Sequence, residues 1–284
     1  MRAYVPDYDL VAPATLSEAL GLVQAGRRPI AGGTDLMVLF EAGKLPYRHL
    51  ASLHAVSELR GIAVNDARVS IGALVTYTDI QRHEVMRREF PLLNRAASWT
   101  GAAATQNRGT LAGNIANGSP AADSPPALLV YDAELELLSA SGSRWVPYAS
   151  FHTGYKTTMM APDEIIGHIR LPRRTSTCSQ YLRKVGTRRA QAIAKVALAG
   201  LAEVVDGSLG RIRIALASVA PTPLRCFETE RLLANRSIGP ALIAEAKEKI
   251  ANEIAPVTDI RSTAEYRRRV SANLLGEFLE SLSA

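Results

Sequence analysis

Two short runs of small residues are the parts of this sequence best suited to hold an anion. The first is Ala31-Gly32-Gly33-Thr34-Asp35, and the second is Gly109-Thr110-Leu111-Ala112-Gly113-Asn114. Glycine has no Cβ, so the backbone can approach a pyrophosphate closely and aim N–H groups at it. Thr34 adds a hydroxyl. Asn114 and the following Ser119 are short side chains suited to phosphate and ribose, and Asp123 could accept hydrogen bonds from sugar hydroxyls. Each run also has a plainer meaning. The first could be a tight turn with an N-cap, and the second a loop whose Asn and Ser side chains satisfy its own backbone. Neither fits G-x-G-x-x-G, nor G-x-x-x-x-G-K followed by Ser or Thr, which counts against a Rossmann dehydrogenase and a P-loop NTPase. Two glycine loops about 75 residues apart suggest one long ligand with two ends.

The elements around these runs can be read from spacing. Residues 5 to 60 form a small α/β unit. Thr15 to Glu18 fits a capping box, Leu16, Ala19, Leu20 and Val23 give a helical stripe, and Gly26 closes it. A short strand at Pro29-Ile30-Ala31 then feeds the first glycine run, which leads into a helix through Leu36, Leu39 and Phe40. Ile62, Val64, Val69 and Ile71 make a hairpin around Asn65-Asp66-Ala67, with helices starting near Thr78 and Pro91. The stretch from Thr105 to Ser124 is rich in Gly, Asn, Ser and Thr but poor in charge, and reads as irregular backbone packed against something. A helix from Pro125 to Tyr131 and a strand from Glu134 to Ser139 follow, and short strands run on to Pro172. Polar residues from Arg173 to Ser179 mark the expected domain boundary. Beyond it, Tyr181–Val185, Ala192–Val205 and Arg211–Val219 read as antiparallel strands, with Gly207-Ser208-Leu209-Gly210 as a turn. Helices near 228–235, 240–253 and 262–283 complete the chain. Strands followed by helices predict an α+β layer, not a doubly wound sheet.

Composition narrows the function. The chain has 284 residues, 47% hydrophobic and 21% charged, enough to bury a core without disulfides or metal. It has no apolar stretch of eighteen residues, and its N-terminus, with two acidic residues and a proline in the first nine, lacks an apolar signal core. The net charge is 33 − 27 = +6, but the basic residues are scattered and no aromatics interleave with them, so nucleic-acid binding is not expected. Cys178 and Cys226 are too few for an iron–sulfur or Cys-rich zinc site, and the five histidines lack ligand spacing. The expected compartment is the cytoplasm.

Several ordered motifs resemble the FAD-binding (medium) subunit of the molybdenum hydroxylases, the family of xanthine dehydrogenase and carbon monoxide dehydrogenase. Ile30-Ala31-Gly32-Gly33-Thr34-Asp35-Leu36 resembles that family's first pyrophosphate loop. Asn107 to Asn114 resembles the second, usually written R-N-x-G-T-x-G-G-N. Ser119-Pro120-Ala121-Ala122-Asp123 follows at the family's spacing. Asp163-Glu164-Ile165-Ile166 with Leu171-Pro172, and Lys184 with Gly186, Arg188 and Arg189, resemble two further segments. The likeness covers essentially the whole chain. Ala112 and Ala192 depart from the family pattern, the first replacing a glycine and the second an aspartate.

The resemblance implies an FAD-binding domain of the vanillyl-alcohol-oxidase type over 1–174, in lobes of about 1–60 and 61–174, followed by an α+β domain over 175–284. It implies that residues 30 to 36 wrap the diphosphate, with Thr110, Gly113 and Asn114 on the other side. Asp123 would reach ribityl or ribose hydroxyls, Ile166 would pack on the ring system, and Lys184 would lie by the isoalloxazine edge. It further implies electron transfer through FAD, with molybdopterin on a large partner subunit and 2Fe–2S clusters on a small one. Relatives with an extra 4Fe–4S cluster carry a Cys-rich insertion that this sequence lacks. No residue here is expected to act as a classical acid or base. Apolar faces meant for partners would let the isolated chain self-associate. Two other readings stay open at this point: a stand-alone flavoenzyme, and a scaffold subunit that has lost flavin.

Overall fold

In a computed structural model the described residues are 7–173, 178–188 and 191–282. Arg189 and residues 174–177 of the expected domain boundary lie outside them, as does the start of the chain to Pro6. The first layer holds β1 (Asp9–Val11), α1 (Leu16–Gln24), β2 (Arg28–Ile30), α2 (Leu36–Glu41) and β3 (His49–Ser52). Its strands are parallel, in the order β1-β3-β2. The expected capping box is present on α1. Thr15 Oγ1 accepts from Glu18 N at 3.2 Å, and Glu18 Oε2 accepts from the Thr15 N–H.

The second layer is a five-stranded sheet in the order β4-β5-β10-β6-β7. It comprises β4 (Ile62–Val64), β5 (Arg68–Gly72), β6 (Glu134–Ser139), β7 (Gly142–Pro147) and β10 (Ile165–Pro172), all pairs antiparallel. Between β5 and β6 the chain forms α3 (Tyr77–Arg82), α4 (Glu84–Glu89), α5 (Pro91–Trp99), α6 (Ala103–Gln106), α7 (Leu111–Ala116) and α8 (Pro125–Val130). A small hairpin, β8 (His152–Gly154) with β9 (Thr157–Thr158), precedes β10. One core serves both layers: Ala19, Val23 and Leu53 pack with Val69, Ile71, Leu135 and Ile169.

Two expectations need correction here. The stretch 105–124 is not irregular throughout, because α6 and α7 fold within or across it. Thr110 caps α7, its Oγ1 accepting from Gly113 N at 3.0 Å, and Leu111, Ala112 and Ile115 are buried. The turn placed at 207–210 is instead the two-residue loop Asp206-Gly207, since Val205 pairs with Ser208. Both loop residues have positive φ, 49° and 75°, the backbone pattern that suits the twist of a tight hairpin.

The third layer is the antiparallel sheet β11-β12-β13-β14, comprising β11 (Ser179–Val185), β12 (Val196–Val205), β13 (Ser208–Ala217) and β14 (Leu224–Arg225). Then come α9 (Phe227–Leu233), α10 (Pro240–Glu253) and α11 (Ala264–Glu280). Its two faces separate at period two. Leu182, Ala199, Leu201 and Ala215 join the first core, while Leu198, Ile212, Ile214 and Leu216 form a second core with residues of α10 and α11. Burial on both faces explains the nearly continuous apolar run of β12. Among the described residues no helix is long and apolar enough to cross a membrane.

Arg225 fastens the layers. Buried at 4% exposure, it donates to Leu129 O at 2.8 Å, to Asp132 Oδ1 at 2.9 Å and to both carboxylate oxygens of Glu230. Burial pushes the Glu230 carboxyl up, and Arg225 opposes that shift.

Two predictions follow from packing and charge. Gly200 faces Phe278, whose ring atoms lie 2.4 to 2.8 Å from the place a Cβ would take. Gly200→Ala should lower stability by about 1–3 kcal/mol in urea unfolding, and Phe278→Leu in the same chain should restore part of the loss relative to its own single variant. At the end of α4, Glu89 accepts from Arg173 at 2.7 and 2.8 Å. That hydrogen-bonded guanidinium holds the Glu89 carboxyl down to about 2, against an ordinary 4.5. A depressed folded-state pKa contributes stability above the unfolded value and loses it as pH falls through the folded one. Glu89→Gln should therefore be less stable than wild type at neutral pH, the gap closing between pH 4.5 and 2. A gap that does not narrow with acid would refute this assignment.

Candidate functional site

The first glycine loop leaves β2 and turns sharply into α2. Gly33 sits at φ +73°, a region that side-chain-bearing residues seldom occupy. Gly32 is constrained differently. A Cβ there would lie 1.9 Å from the Arg108 carbonyl oxygen and 3.0 Å from Gly109 Cα. The first loop therefore touches the second backbone to backbone. Asp35 makes no N-cap bond to α2. Its Oδ1 instead accepts from Asn117 Nδ2 at 3.2 Å, joining the two segments a second time. At six residues, α2 is short, so the loop itself, not a long helix N-terminus, shapes this wall.

The second loop is held from behind by the segment entering α3. Tyr77 N donates to Gly109 O and Leu111 N donates to Val75 O, both at 3.2 Å, and Thr76 bridges to Thr110. The Thr34 hydroxyl lies 3.3 Å from where a Cβ on Gly109 would stand, so this loop too has no spare room. Ile165 and Ile166 at the start of β10, with Ala73, supply apolar wall.

Together these parts enclose a cleft of about 350 Å³, a size typical of small-molecule sites. Ile30, Ala31, Gly32, Gly33, Thr34, Asp35, Leu36, Thr110, Gly113, Asn114 and Ile166 all line it. The departure at Ala112 is accommodated, since that residue is helical within α7 and also lines the cleft. Asp123 and Lys184 are not among the lining residues. They pair with each other, Lys184 Nζ donating to Asp123 Oδ2 at 2.6 Å, with side chains only 9% and 11% exposed. Burial raises the Asp123 carboxyl, and the neighbouring ammonium pulls it back. Tyr77, Thr105 and Asn117 also line the cleft and were not singled out from sequence. Asn117 was open to discovery as a third short polar side chain in one polar stretch. Tyr77 carried no signal, because a tyrosine at a helix start ordinarily packs.

The cleft suits FAD. That ligand is long, polar in the middle and flat and apolar at its ends. Here close-packed glycine backbone lies next to isoleucine walls. Asn114 Oδ1 is buried without a hydrogen-bond partner, an acceptor left for a ligand hydroxyl or amine.

Comparison with known proteins agrees. Residues 6–174 match the family described as the FAD binding domain in molybdopterin dehydrogenase, and residues 181–282 match the CO dehydrogenase flavoprotein C-terminal domain. The chain is 32% identical over 259 residues to the xanthine dehydrogenase FAD-binding subunit of Escherichia coli, covering 89% of this chain and 88% of that one. It is 30% identical over 269 residues to the glyceraldehyde dehydrogenase medium chain of Sulfolobus acidocaldarius, covering 94% and 95%. Among solved structures it superposes with a TM-score of 0.92 on carbon monoxide dehydrogenase from Hydrogenophaga pseudoflava, in a form lacking the Mo-pyranopterin moiety of the cofactor. Identity there is 27%, with 96% of each chain covered. The chain belongs to the family of FAD-binding, or medium, subunits of the molybdenum-dependent dehydrogenases, the group of xanthine and carbon monoxide dehydrogenase.

Proposed function

We propose that this subunit carries electrons within a three-subunit molybdenum hydroxylase. It would take them from 2Fe–2S clusters on a small partner and pass them through FAD to an external acceptor. The large partner would hold molybdopterin and the organic substrate. The observation that carries this reading is the meeting of the two glycine loops around one cleft, with Gly32 packed on the Arg108 carbonyl. Relatives described as subunits or medium chains of dehydrogenases support the partners. We place the complex in the cytoplasm, where two cysteines that form no disulfide stay reduced. We divide the chain at 174/175, with lobes of about 1–60 and 61–174 in the first part.

When bound, FAD supplies the redox chemistry, accepting electrons one at a time and giving them up singly or in pairs. The protein's own residues hold it. Residues 30 to 36, with Thr110, Gly113 and Asn114, form the diphosphate cradle, and Ile166 packs against the ligand. Asp123 and Lys184 act as a joined pair at the edge of the site, with Asp123 Oδ1 left as a free acceptor. Met37 and Val38 on α2 stand exposed beside the first loop, an apolar face suited to a partner and able to drive self-association of the lone chain.

Purified protein should carry close to one FAD per chain, released by acid and so not covalently held. Gly32→Ala should lose most of it, because the new Cβ can fit only if the two loops move apart. The ratio of flavin to protein absorbance measures both. Protein without flavin that takes up none when FAD and partner subunits are supplied would refute the reading.

A further inference from the structure

Tyr77 carries a buried hydroxyl with no well-aligned hydrogen-bond partner in the protein. It is the first residue of α3, and its backbone N–H is fixed to Gly109 of the second loop. The side chain is 2% exposed and lines the cleft, with Cε2 3.3 Å from where a Cβ on Gly109 would stand. Its OH is buried and makes no hydrogen bond of acceptable geometry. Ser124 and Thr100 lie near enough to ease its ionisation, but burial and the Asp123 charge outweigh them and keep the phenol protonated. Ser124 Oγ and Asp123 Oδ1 are buried and unpartnered as well. Tyr77 and Asn114 line the cleft, whereas Ser124 and Asp123, which stand beside the Tyr77 hydroxyl, lie behind it.

A buried hydroxyl without a partner costs stability. Phenylalanine would fill the same space without that cost, so packing does not explain the oxygen. Tyr148, also buried, differs: its hydroxyl meets His152 Nε2 at 3.0 Å. Tyr131 likewise bonds Leu92 N and Gln180. We infer that Tyr77 is a cofactor-contacting residue, its hydroxyl donating a hydrogen bond to an acceptor atom of FAD in the cleft. This rests on the FAD reading of the cleft and adds to it a residue outside both glycine loops. Behind it, Ser124 and the Asp123–Lys184 pair form a buried polar backing that keeps the ring in place.

The test is Tyr77→Phe in the full chain, read in two ways. Thermal unfolding of flavin-free protein measures the hydroxyl's structural worth, and titration of FAD by flavin fluorescence measures its worth to the ligand. The flavin-free variant should melt at the wild-type temperature or above it, while its dissociation constant for FAD should rise about 3- to 10-fold. Affinity then falls with no loss of stability, which a purely structural hydroxyl would not produce. Unchanged FAD affinity would overturn the inference. So would a lower melting temperature of the flavin-free variant with a parallel loss of affinity. Wild-type protein that binds no FAD, alone or with partner subunits, would instead overturn the reading of the cleft and this inference with it.

Discussion

The Arg108 carbonyl oxygen occupies the space that any side chain on Gly32 would need, and the rest of the site depends on that contact. Two loops from distant parts of the sequence can approach this closely only as bare backbone. Each then presents a face of main-chain groups to the cleft, with no bulk between them and a ligand. Supporting contacts repeat the same join. Asn117 reaches Asp35, and the Thr34 hydroxyl stands over Gly109. The result is a rigid rim, which lowers the ordering cost that a flexible pocket would incur on binding.

The C-terminal layer holds the segment that follows the second loop. Ser218, at φ +67°, donates its N–H to Pro120 O at 2.8 Å and its hydroxyl to Ala194 O at 2.9 Å. Arg267, buried within α11, in turn donates to Ser218 O and Lys195 O. Lys184 grips Asp123, and Arg225 grips Leu129 and Asp132. These contacts fall along residues 120 to 132, so the third sheet acts as a backing plate for α8 and the polar turn before it. Cations from the late sequence serve early carbonyls and carboxylates, which accounts for part of the basic excess without any nucleic acid.

Local order was the part legible in sequence. The Thr15–Glu18 box, the hairpin at 62–71 and the strand Glu134–Ser139 follow from neighbours a few residues away, and all are present. The glycine loops were legible because missing side chains leave a mark in the residue types themselves. What sequence did not reveal was pairing over distance. Asp123 and Lys184, 61 positions apart, were each read as ligand groups, and only the folded chain joins them. Tyr77 was invisible for a related reason: its ring behaves as an ordinary core residue, and only an unpartnered oxygen on a side chain that lines the cleft sets it apart. The helices within 105–124 were missed because Gly, Asn and Thr disfavour helix locally, a preference that burial of Leu111, Ala112 and Ile115 overrides.

The strand order of the second sheet also governs when the site can exist. β10 is inserted between β5 and β6, although it is made after both. Ile165 and Ile166, which wall the cleft, sit at its leading end. A chain emerging from the ribosome thus holds both glycine loops for some fifty residues of synthesis before the strand between its two halves arrives. Until then β5 and β6 lack their shared neighbour, and the cradle is only half enclosed. The walls that enclose the cofactor are therefore complete only at the closing stage of this domain's synthesis.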